Sequence, residues 1–539
     1  MSEVEFAAGL SVRLGSSDEA AAAARTALVE AGVPAKLVAK DATLWGPDAE
    51  SEASIRLGWV DTMHRSRALL PQLAELAAEL ADLDHVVLAG MGGSSLAPEV
   101  IARTLGRPLT VLDTTDPHQI RTAVRDRLER TVVVVASKSG STVETDSHRR
   151  AYWQAFLDSG LTEAEAGRHF VMVTDPGSQL EQTAREMGAF VVLADPDVGG
   201  RYSALTAFGL VATTLAGVDV AELLDEADAL YGSLAEADGN PALTLGAVLG
   251  SAAQQGRDKV ALAEDGTGIV GLGDWAEQLI AESTGKLGRG ILPVVVESPL
   301  APGFTGGDVV SVLIGGAADL STPPPGHVIA VNGPLGAQFL AWEYATAIAG
   351  RVLGINPFDQ PNVTESKENT KKILDSGTPT IAATFTDGPV TGYCSATEVT
   401  DLEGALRWLA ARVEPTGYVA VMAYLDRLGD AAAAEVRPLL AEVTKRPVTF
   451  GWGPRFLHST GQFHKGGPQV GAYLQITGAV TEDLDVPGRA YTFGQLQAAQ
   501  AAGDRQALLG RERPLLHLHL TDRAAGLARL LDVARTLGA

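Results

Sequence analysis

Residues 131–145 read TVVVVASKSGSTVET, a β-branched apolar run that opens into a loop of serines and threonines. An almost wholly apolar strand of this kind is typical of a parallel sheet that helices cover on both faces. The loop offers five hydroxyl side chains and one lysine in nine residues. Backbone N–H groups at the start of the following helix can bind an anion there. The stretch therefore predicts a doubly wound α/β fold with a phosphate-type loop at the carboxyl edge of its sheet.

The same alternation of strand and helix extends over most of the chain. Further apolar runs begin at residues 85, 108, 169 and 190, and a second series begins at 259, 292, 309 and 328. A third series is expected near 381–386, 417–424, 446–451, 471–477 and 515–520, with helices near 402–412, 429–443, 493–502 and 522–537. We predict a helical segment over 1–80, two doubly wound domains over 81–235 and 236–370, and a C-terminal α/β region over 371–539.

Composition limits the classes of partner. The 539 residues carry 42 Lys+Arg against 66 Asp+Glu, a formal net charge of −24, which disfavours nucleic acid and anionic membranes. No run of 18 apolar residues predicts a membrane span, and the first 14 residues lack the pattern of a signal peptide. The single cysteine, Cys394, fits a reducing compartment, so we expect a cytoplasmic protein.

Two loops are candidates for binding an anion. Gly90-Met-Gly-Gly-Ser-Ser95 joins a strand to a helix, but it lacks the third glycine of a dinucleotide fingerprint, and a plain tight turn stays open as an alternative. In the loop after the quoted strand, Ser141 and Glu144 have the spacing of a capping box that would start a helix at Thr142. A capped helix without a ligand would need fewer hydroxyls than this loop has.

Three further residues could supply chemistry. Arg201 follows two glycines, so its guanidinium could turn into a cleft and stabilise an oxyanion. Glu282 ends a helical run and could act as a general base, and Lys367 lies in or beside a polar helix. For each of them, an ordinary surface position is the competing interpretation.

Taken together, the motifs resemble those of the phosphoglucose isomerase family, which is built from two sugar-isomerase (SIS) domains. Five ordered segments carry the resemblance: Gly92-Gly-Ser94, Ser137-Lys-Ser-Gly-Ser-Thr-Val-Glu-Thr145, Val198-Gly-Gly-Arg-Tyr-Ser203, Glu282-Ser-Thr-Gly-Lys286, and the series from Leu335 through Gly354-Ile-Asn-Pro-Phe-Asp-Gln360 to Lys367. The resemblance implies interconversion of glucose 6-phosphate and fructose 6-phosphate through a cis-enediol, in glycolysis and gluconeogenesis. The resemblance implies that the reaction needs no metal and no cofactor. It also implies a homodimer as a possible assembly.

The resemblance also assigns roles to residues. Glu282 would move the proton between C2 and C1, Arg201 would stabilise the enediolate, and Lys367 would assist ring opening. The residues that would hold the phosphate are Gly93, Ser94, Ser137, Lys138, Ser139 and Thr142.

The chain departs from the family pattern in two places. Asn362-Val-Thr364 stands where the family has Gly-Val-Glu, so a carboxylate is missing unless Glu365 replaces it. The family's histidine segment is absent after Glu282. A similar segment with His458 and His464 lies instead in the C-terminal region, as in the isomerase portion of transaldolase/phosphoglucose isomerase fusions. Matching His464-Lys-Gly to the family's closing His-Gln-Gly makes His458 the ring-opening residue, whereas matching Gly461-Gln462 to its Gly-Gln-His makes it His464. We favour His458, because an imidazole there suits proton transfer to a ring oxygen. That both histidines only make hydrogen bonds stays open as an alternative.

Three other functions compete with this one. They are isomerisation of another hexose phosphate such as mannose 6-phosphate, a catalytically silent sugar-phosphate sensor, and a nucleotide-binding oxidoreductase. His517 and His519 alternate on a predicted strand, where ordinary strand residues are the better interpretation than a metal pair.

Overall fold

The computed structural model describes residues 4–317, 324–362, 364–377 and 381–538, with the side chain of Thr364 left out. The described chain forms three sheets, and its fold is α/β, with two doubly wound parallel-sheet units followed by a C-terminal α/β region. We call the parts built on these sheets the first, second and third unit, in chain order.

The N-terminal segment is a hairpin followed by short helices. The hairpin strands are β1 (Val4–Ala7) and β2 (Leu10–Leu14), and the helices are α1 (Glu19–Glu30), α2 (Val33–Val38), α3 (Pro47–Ala53), α4 (Thr62–Ser66) and α5 (Leu70–Glu79). Helix α1 begins after Asp18, whose carboxylate accepts a hydrogen bond from the Ala21 N–H. The prediction of a purely helical segment was wrong for the hairpin, which extends the sheet of the second unit.

The first unit has five parallel strands in the order β4-β3-β5-β6-β7. Its elements are β3 (His85–Gly90), α6 (Leu96–Thr104), β4 (Thr110–Leu112), α7 (Pro117–Arg125), β5 (Thr131–Ala136), α8 (Val143–Asp158), α9 (Glu163–Arg168), β6 (Phe170–Thr174), α10 (Gln179–Met187) and β7 (Phe190–Leu193). Val132 and Val134 lie in one hydrophobic core, whereas Val133 and Val135 lie in another. Both faces of the sheet are therefore buried, as the apolar run predicts.

The second unit follows three helices, α11 (Ala207–Leu215), α12 (Val220–Tyr231) and α13 (Pro241–Gln254). It consists of β8 (Lys259–Glu264), α14 (Leu272–Thr284), β9 (Leu292–Val295), β10 (Val309–Gly315), β11 (Ile329–Asn332), α15 (Leu335–Leu353) and α16 (Thr364–Ser376). Its parallel strands run β11-β10-β8-β9, and β2 pairs antiparallel with β11 at the edge.

The third unit repeats this arrangement. It contains β12 (Phe385–Asp387), β13 (Val390–Tyr393), α17 (Leu402–Ala410), β14 (Tyr418–Tyr424), α18 (Val436–Thr444), β15 (Val448–Trp452), α19 (Gly461–Gly466), β16 (Gly471–Gly478), α20 (Phe493–Leu509), β17 (Leu515–Leu520) and α21 (Arg523–Gly538). Four parallel strands run β17-β16-β14-β15, and the β12–β13 hairpin again pairs antiparallel at the outer edge. The second and third sheets thus share one strand order and one kind of edge hairpin.

The second sheet lies between two cores. Val260 and Leu262 of β8 face the core shared with the first unit. Ala261 and Ala263 on the other face pack in a core with Tyr418 and Met422 of the third unit. The third unit is thereby fixed against the other two, and its loops reach the carboxyl edges of their strands.

Candidate functional site

A cavity of about 1030 Å³ opens between the first unit, helix α16 and the third unit. The residues lining it that matter here are Ser137, Ser139, Thr142, Glu144, Lys367, His458 and Gln500. Most of these lie at strand ends or helix starts, because a doubly wound sheet presents its loops at the carboxyl edge of its strands.

The serine loop forms one wall of the cavity. Helix α8 begins at Val143 with Thr142 as its N-cap, and the hydroxyls of Ser137 and Thr142 lie 3.0 Å apart. Ser139 Oγ lies 2.8 Å from Ser141 Oγ. These hydroxyls surround the N-terminus of a 16-residue helix, an arrangement suited to an anion. The expected capping box was wrong, because the Glu144 side chain contacts His458 and the N-cap side chain accepts no hydrogen bond from the helix backbone.

Lys138 does not line this cavity with its neighbours in the loop. Its ammonium lies 2.6 Å from the Asp175 carboxylate and donates to the Pro196 carbonyl at 3.1 Å. Asp175 follows β6, the strand next to β5. The lysine therefore ties the loop to the neighbouring strand end, and the structure does not bring its charge to the predicted phosphate site.

The glycine loop packs beside the cavity. Gly93 lies so close to the backbone of Gly200 that an added Cβ would come within 1.8 Å of the Gly200 carbonyl oxygen. An added Cβ on Gly92 would likewise meet Gln278 Nε2 at 2.6 Å and the His458 carbonyl oxygen at 3.0 Å. The turn therefore joins Arg201, α14 and the His458 segment. Gly93 and Ser94 are buried here and are not among the described residues that line the large cavity.

Arg201 and Glu282 meet at this junction. Arg201 Nη1 lies 3.5 Å from Glu282 Oε1, and both side chains are mostly buried, with 4% and 13% of their surfaces exposed. Gln278, one turn earlier on α14, donates to Glu282 Oε2 at 3.2 Å. The structure thus brings together a carboxylate that can take up a proton and a cation that stays charged.

The Arg201 guanidinium is held in one orientation by four hydrogen bonds. It donates to Ser283 Oγ at 2.9 Å and to Gln360 Oε1 at 2.7 Å. It also donates to the carbonyl oxygens of Pro357 at 2.7 Å and Asp359 at 3.0 Å. The loop over 354–360 is therefore part of the support of this cation.

Lys286 reinforces the same loop. Its ammonium donates to the Asp359 carboxylate at 2.7 Å and to the Asn356 carbonyl at 2.8 Å. Burial, together with the nearby Arg201 charge, lowers the pKa of Lys286 to about 8.

His458 reaches the first unit from a 3₁₀ turn over Arg455–His458 in the third unit. Its Nε2 lies 3.2 Å from Glu144 Oε1, and Gln500 Nε2 donates to that same oxygen at 2.7 Å. Burial raises the pKa of the Glu144 carboxyl, but the His458 contact and the nearby Lys367 charge outweigh it and lower the pKa to about 2. Since the ionised carboxylate only accepts hydrogen bonds, His458 Nε2 donates to it.

His464 occupies a different environment. It is buried in α19, with Nδ1 2.9 Å from the Tyr418 hydroxyl, and it is not among the described residues that line the cavity. Burial lowers its pKa to about 3. The structure therefore does not place His464 at the cavity that His458 and Lys367 line.

Lys367 lines the cavity from the first half of α16, and its side chain is exposed. Glu365, the possible replacement for the missing family carboxylate, instead pairs with Arg511 at 2.6 Å. The backbone N–H of Asn362 donates to Gln462 Oε1 at 2.9 Å, which attaches the start of this segment to α19.

His517 and His519 form a pair bridged by an alcohol. Thr477 Oγ1 lies 2.8 Å from His517 Nε2 and 2.9 Å from His519 Nδ1. Among the residues the structure describes, no group of three or more His, Cys, Asp or Glu side chains could hold a metal ion.

Sequence reasoning missed Glu144 and Gln500 as site residues. The spacing of Glu144 from Ser141 suggested a cap, and a glutamine within an Ala/Gln-rich helix gives no local signal. Both residues become part of the site only when the third unit folds against the first, which brings Gln500 and His458 to Glu144.

Comparison with known proteins agrees with this geometry. The family model described as phosphoglucose isomerase matches residues 77–264, which hold the serine loop and Arg201. Over this stretch the chain is similar to the phosphoglucose isomerases. A probable glucose-6-phosphate isomerase from Haloarcula marismortui is 32% identical over 227 residues, which cover 41% of this chain and 51% of that protein. The chain thus spans about half the length of that relative.

Two further phosphoglucose isomerases match over longer stretches. Glucose-6-phosphate isomerase of Acaryochloris marina is 27% identical over 379 residues, covering 59% of this chain and 71% of that one. The crystal structure of a glucose-6-phosphate isomerase from Chlamydia trachomatis has a TM-score of 0.57 at 20% identity, covering 70% of this chain and 91% of that one, and supports the fold.

Across the described ranges, every helix is too short or too polar to cross a membrane.

Proposed function

We propose that this protein interconverts glucose 6-phosphate and fructose 6-phosphate. The observation that carries the proposal is the meeting of Glu282 and Arg201, 3.5 Å apart. They lie at the glycine turn, which also approaches His458, and the serine loop at the N-terminus of α8 lines the same cavity as His458. A sugar phosphate needs an anion site, a proton-transfer group and a fixed cation for aldose–ketose isomerisation, and these residues supply all three.

The phosphate would bind at the serine loop. The hydroxyls of Ser137, Ser139 and Thr142 and the free N–H groups at the start of α8 would donate to its oxygens. Gly93 and Ser94 lie at the neighbouring turn, and we assign them a supporting role for the same group. Lys138 would act through the loop it anchors to Asp175.

Ring opening would come first, because the closed sugar has no free carbonyl. His458 would exchange a proton with the ring oxygen through Nδ1, while Glu144 holds its Nε2. Lys367 would contact the sugar oxygens from the opposite side of the cavity. His464 has no part in this step, since it is buried against Tyr418.

Isomerisation would then proceed by proton transfer between C2 and C1. Starting from open-chain glucose 6-phosphate, Glu282 would take the proton from C2 to give the enediol and return it to C1. One C–H bond then breaks at C2 and one forms at C1, while the O2 hydroxyl proton moves to O1. The Arg201 guanidinium would stabilise the charge that develops on the oxygens, with no reorientation needed because four hydrogen bonds already hold it. This chemistry requires neither a metal nor an organic cofactor.

Several finer assignments accompany this function. We propose a cytoplasmic enzyme of glycolysis and gluconeogenesis, acting on a small sugar phosphate without nucleic-acid or membrane partners, with a homodimer as its possible assembly. We also propose the division into residues 1–80, 81–235, 236–370 and 371–539.

A direct assay tests the proposal. Purified protein with fructose 6-phosphate and EDTA should produce glucose 6-phosphate, detected through a coupled glucose-6-phosphate dehydrogenase. Absence of turnover would refute the proposal, and turnover that EDTA abolishes would refute its metal-free form.

A further inference from the structure

Gln500 is a buried polar residue that the mechanism above does not use. It lies on α20 of the third unit, 3% exposed, and lines the large cavity. It also lies outside every motif that carries the family resemblance. Its contacts nevertheless connect it, through Glu144, to the predicted ring-opening histidine.

The orientation of the Gln500 amide is fixed from both ends. Thr115, a fully buried residue of the first unit, donates its hydroxyl to Gln500 Oε1 at 2.7 Å. The Nε2 group therefore faces the first unit's other buried group, Glu144, and donates to its Oε1 at 2.7 Å. A flipped amide would place Oε1 against the Glu144 carboxylate, which only accepts hydrogen bonds, so the amide keeps this orientation.

The carboxylate that receives this bond is shared with His458. Glu144 Oε1 accepts from both Gln500 Nε2 and His458 Nε2, and Glu144 is only 4% exposed. A buried carboxylate with one donor fewer would be free to rotate or to draw His458 away from the cavity. On the basis of the function proposed above, we propose that Gln500 is a positioning residue that holds Glu144 so that His458 presents Nδ1 to the sugar ring.

The helix that carries Gln500 also supports Lys367. Helix α20 packs along α16, and an added Cβ on its Gly503 would come within 2.9 Å of the Thr370 backbone nitrogen. One helix of the third unit thus contacts Glu144, the partner of His458, and packs against the helix that carries Lys367. Gln500 should therefore matter for opening of the closed sugar and not for proton transfer at Glu282.

Gln497, one turn earlier on the same helix, offers a matched control. It is 5% exposed, and its Nε2 donates at 3.2 Å to Oδ2 of Asp116, another buried carboxylate of the first unit. Asp116 keeps a second partner, Arg523, at 2.8 Å, and Gln497 is not among the described residues that line the cavity. Gln500→Met and Gln497→Met each remove one buried amide of the same size, but only the first touches Glu144.

The test compares a closed with an open-chain substrate. Fructose 6-phosphate must be opened, whereas 5-deoxyfructose 6-phosphate has no O5 and cannot close its furanose ring. Gln500→Met should lower kcat on fructose 6-phosphate by about 10- to 100-fold. Exchange of the C1 proton of the 5-deoxy sugar with D₂O, followed by NMR, should stay within about threefold of the parent rate because Glu282 is untouched. Gln497→Met should leave both rates within that range.

A double substitution completes the design. If Gln500 acts through His458, then adding Gln500→Met to His458→Asn should slow fructose 6-phosphate turnover by no more than about twofold further. An undiminished effect in that background would overturn the proposal, as would equal loss on both substrates or equal effects of the two Gln→Met variants. If the parent protein does not turn over fructose 6-phosphate at all, the proposed function itself fails. If the parent is active, any of the contrary outcomes above refutes the assignment of Gln500 while the proposed function stands.

Discussion

Replacing Arg201 by lysine keeps a positive charge but removes the planar group that the surrounding loop is built to hold. Arg201 donates to Ser283, Gln360 and two carbonyl oxygens, and it lies 3.5 Å from Glu282. A lysine ammonium has three donors on one nitrogen and cannot reach acceptors spread around a guanidinium.

The magnitude follows from the acceptors that lose a donor. If lysine satisfies two of the four, about two buried oxygens stay unpaired, at about 1–3 kcal/mol each. The free energy of unfolding should therefore fall by about 2–6 kcal/mol in Arg201→Lys. Loss of a preorganised cation beside the reacting oxygens should lower kcat by about 10²- to 10³-fold.

The two effects are measured separately. Denaturant unfolding gives the change in stability, and the coupled assay below the unfolding range gives kcat on fructose 6-phosphate. Arg289→Lys is a suitable control, because Arg289 donates to the Leu353 carbonyl at 3.1 Å near the other end of the same loop. It should retain kcat within about threefold. Turnover by Arg201→Lys within that same range would refute the assigned role.

Three further predictions concern ionisable side chains. His458→Asn should slow turnover of fructose 6-phosphate by about 10²-fold or more, the contribution typical of general acid–base catalysis, without slowing C1 exchange on the open-chain sugar. His464→Asn should instead lower the free energy of unfolding through its lost bond to Tyr418; a selective loss of closed-ring turnover in this variant would reverse the choice of histidine. Burial and the nearby Asp274 raise the pKa of Glu277 to about 8 from 4.5, so the folded state binds more protons than the unfolded state between these values. Stability should therefore fall as pH rises from about 4.5 to 8, by up to about 1.4 kcal/mol per pH unit, and Glu277→Gln should flatten this fall in denaturant unfolding measured across that range. An unchanged slope in the variant would contradict this origin.

The sheets could be predicted from sequence because their signal is local. The apolar run of β5 and its counterparts are bounded by loops and separated by helical patterns, and most became strands within a few residues of the expected limits. The run expected over 381–386 is a strand only from Phe385 onward. The β1–β2 hairpin could not be predicted in the same way. Its strands are short, and β2 finds its partner β11 more than 300 residues later in the chain.

The candidate site was predictable only in part, for a similar reason. Arg201 and Glu282 lie in motifs, and folding brings them together. Lys138 has the right local context for a phosphate, but Asp175 at the neighbouring strand end takes its ammonium. Glu144 has the spacing of a helix cap, but its partners His458 and Gln500 come from the third unit. Contacts between residues far apart in the chain, within the first unit for Lys138 and between units for Glu144, decided these cases.

The most direct test is the conversion of fructose 6-phosphate to glucose 6-phosphate in the presence of EDTA, measured with the parent protein and with Glu282→Gln. Glutamine keeps the size of the side chain and its contact with Gln278 but cannot accept the C–H proton. We predict metal-independent turnover by the parent, and for the variant a loss of at least about 10³-fold with fructose 6-phosphate binding retained in calorimetry. An inactive parent, or a variant that keeps its turnover, would contradict the account.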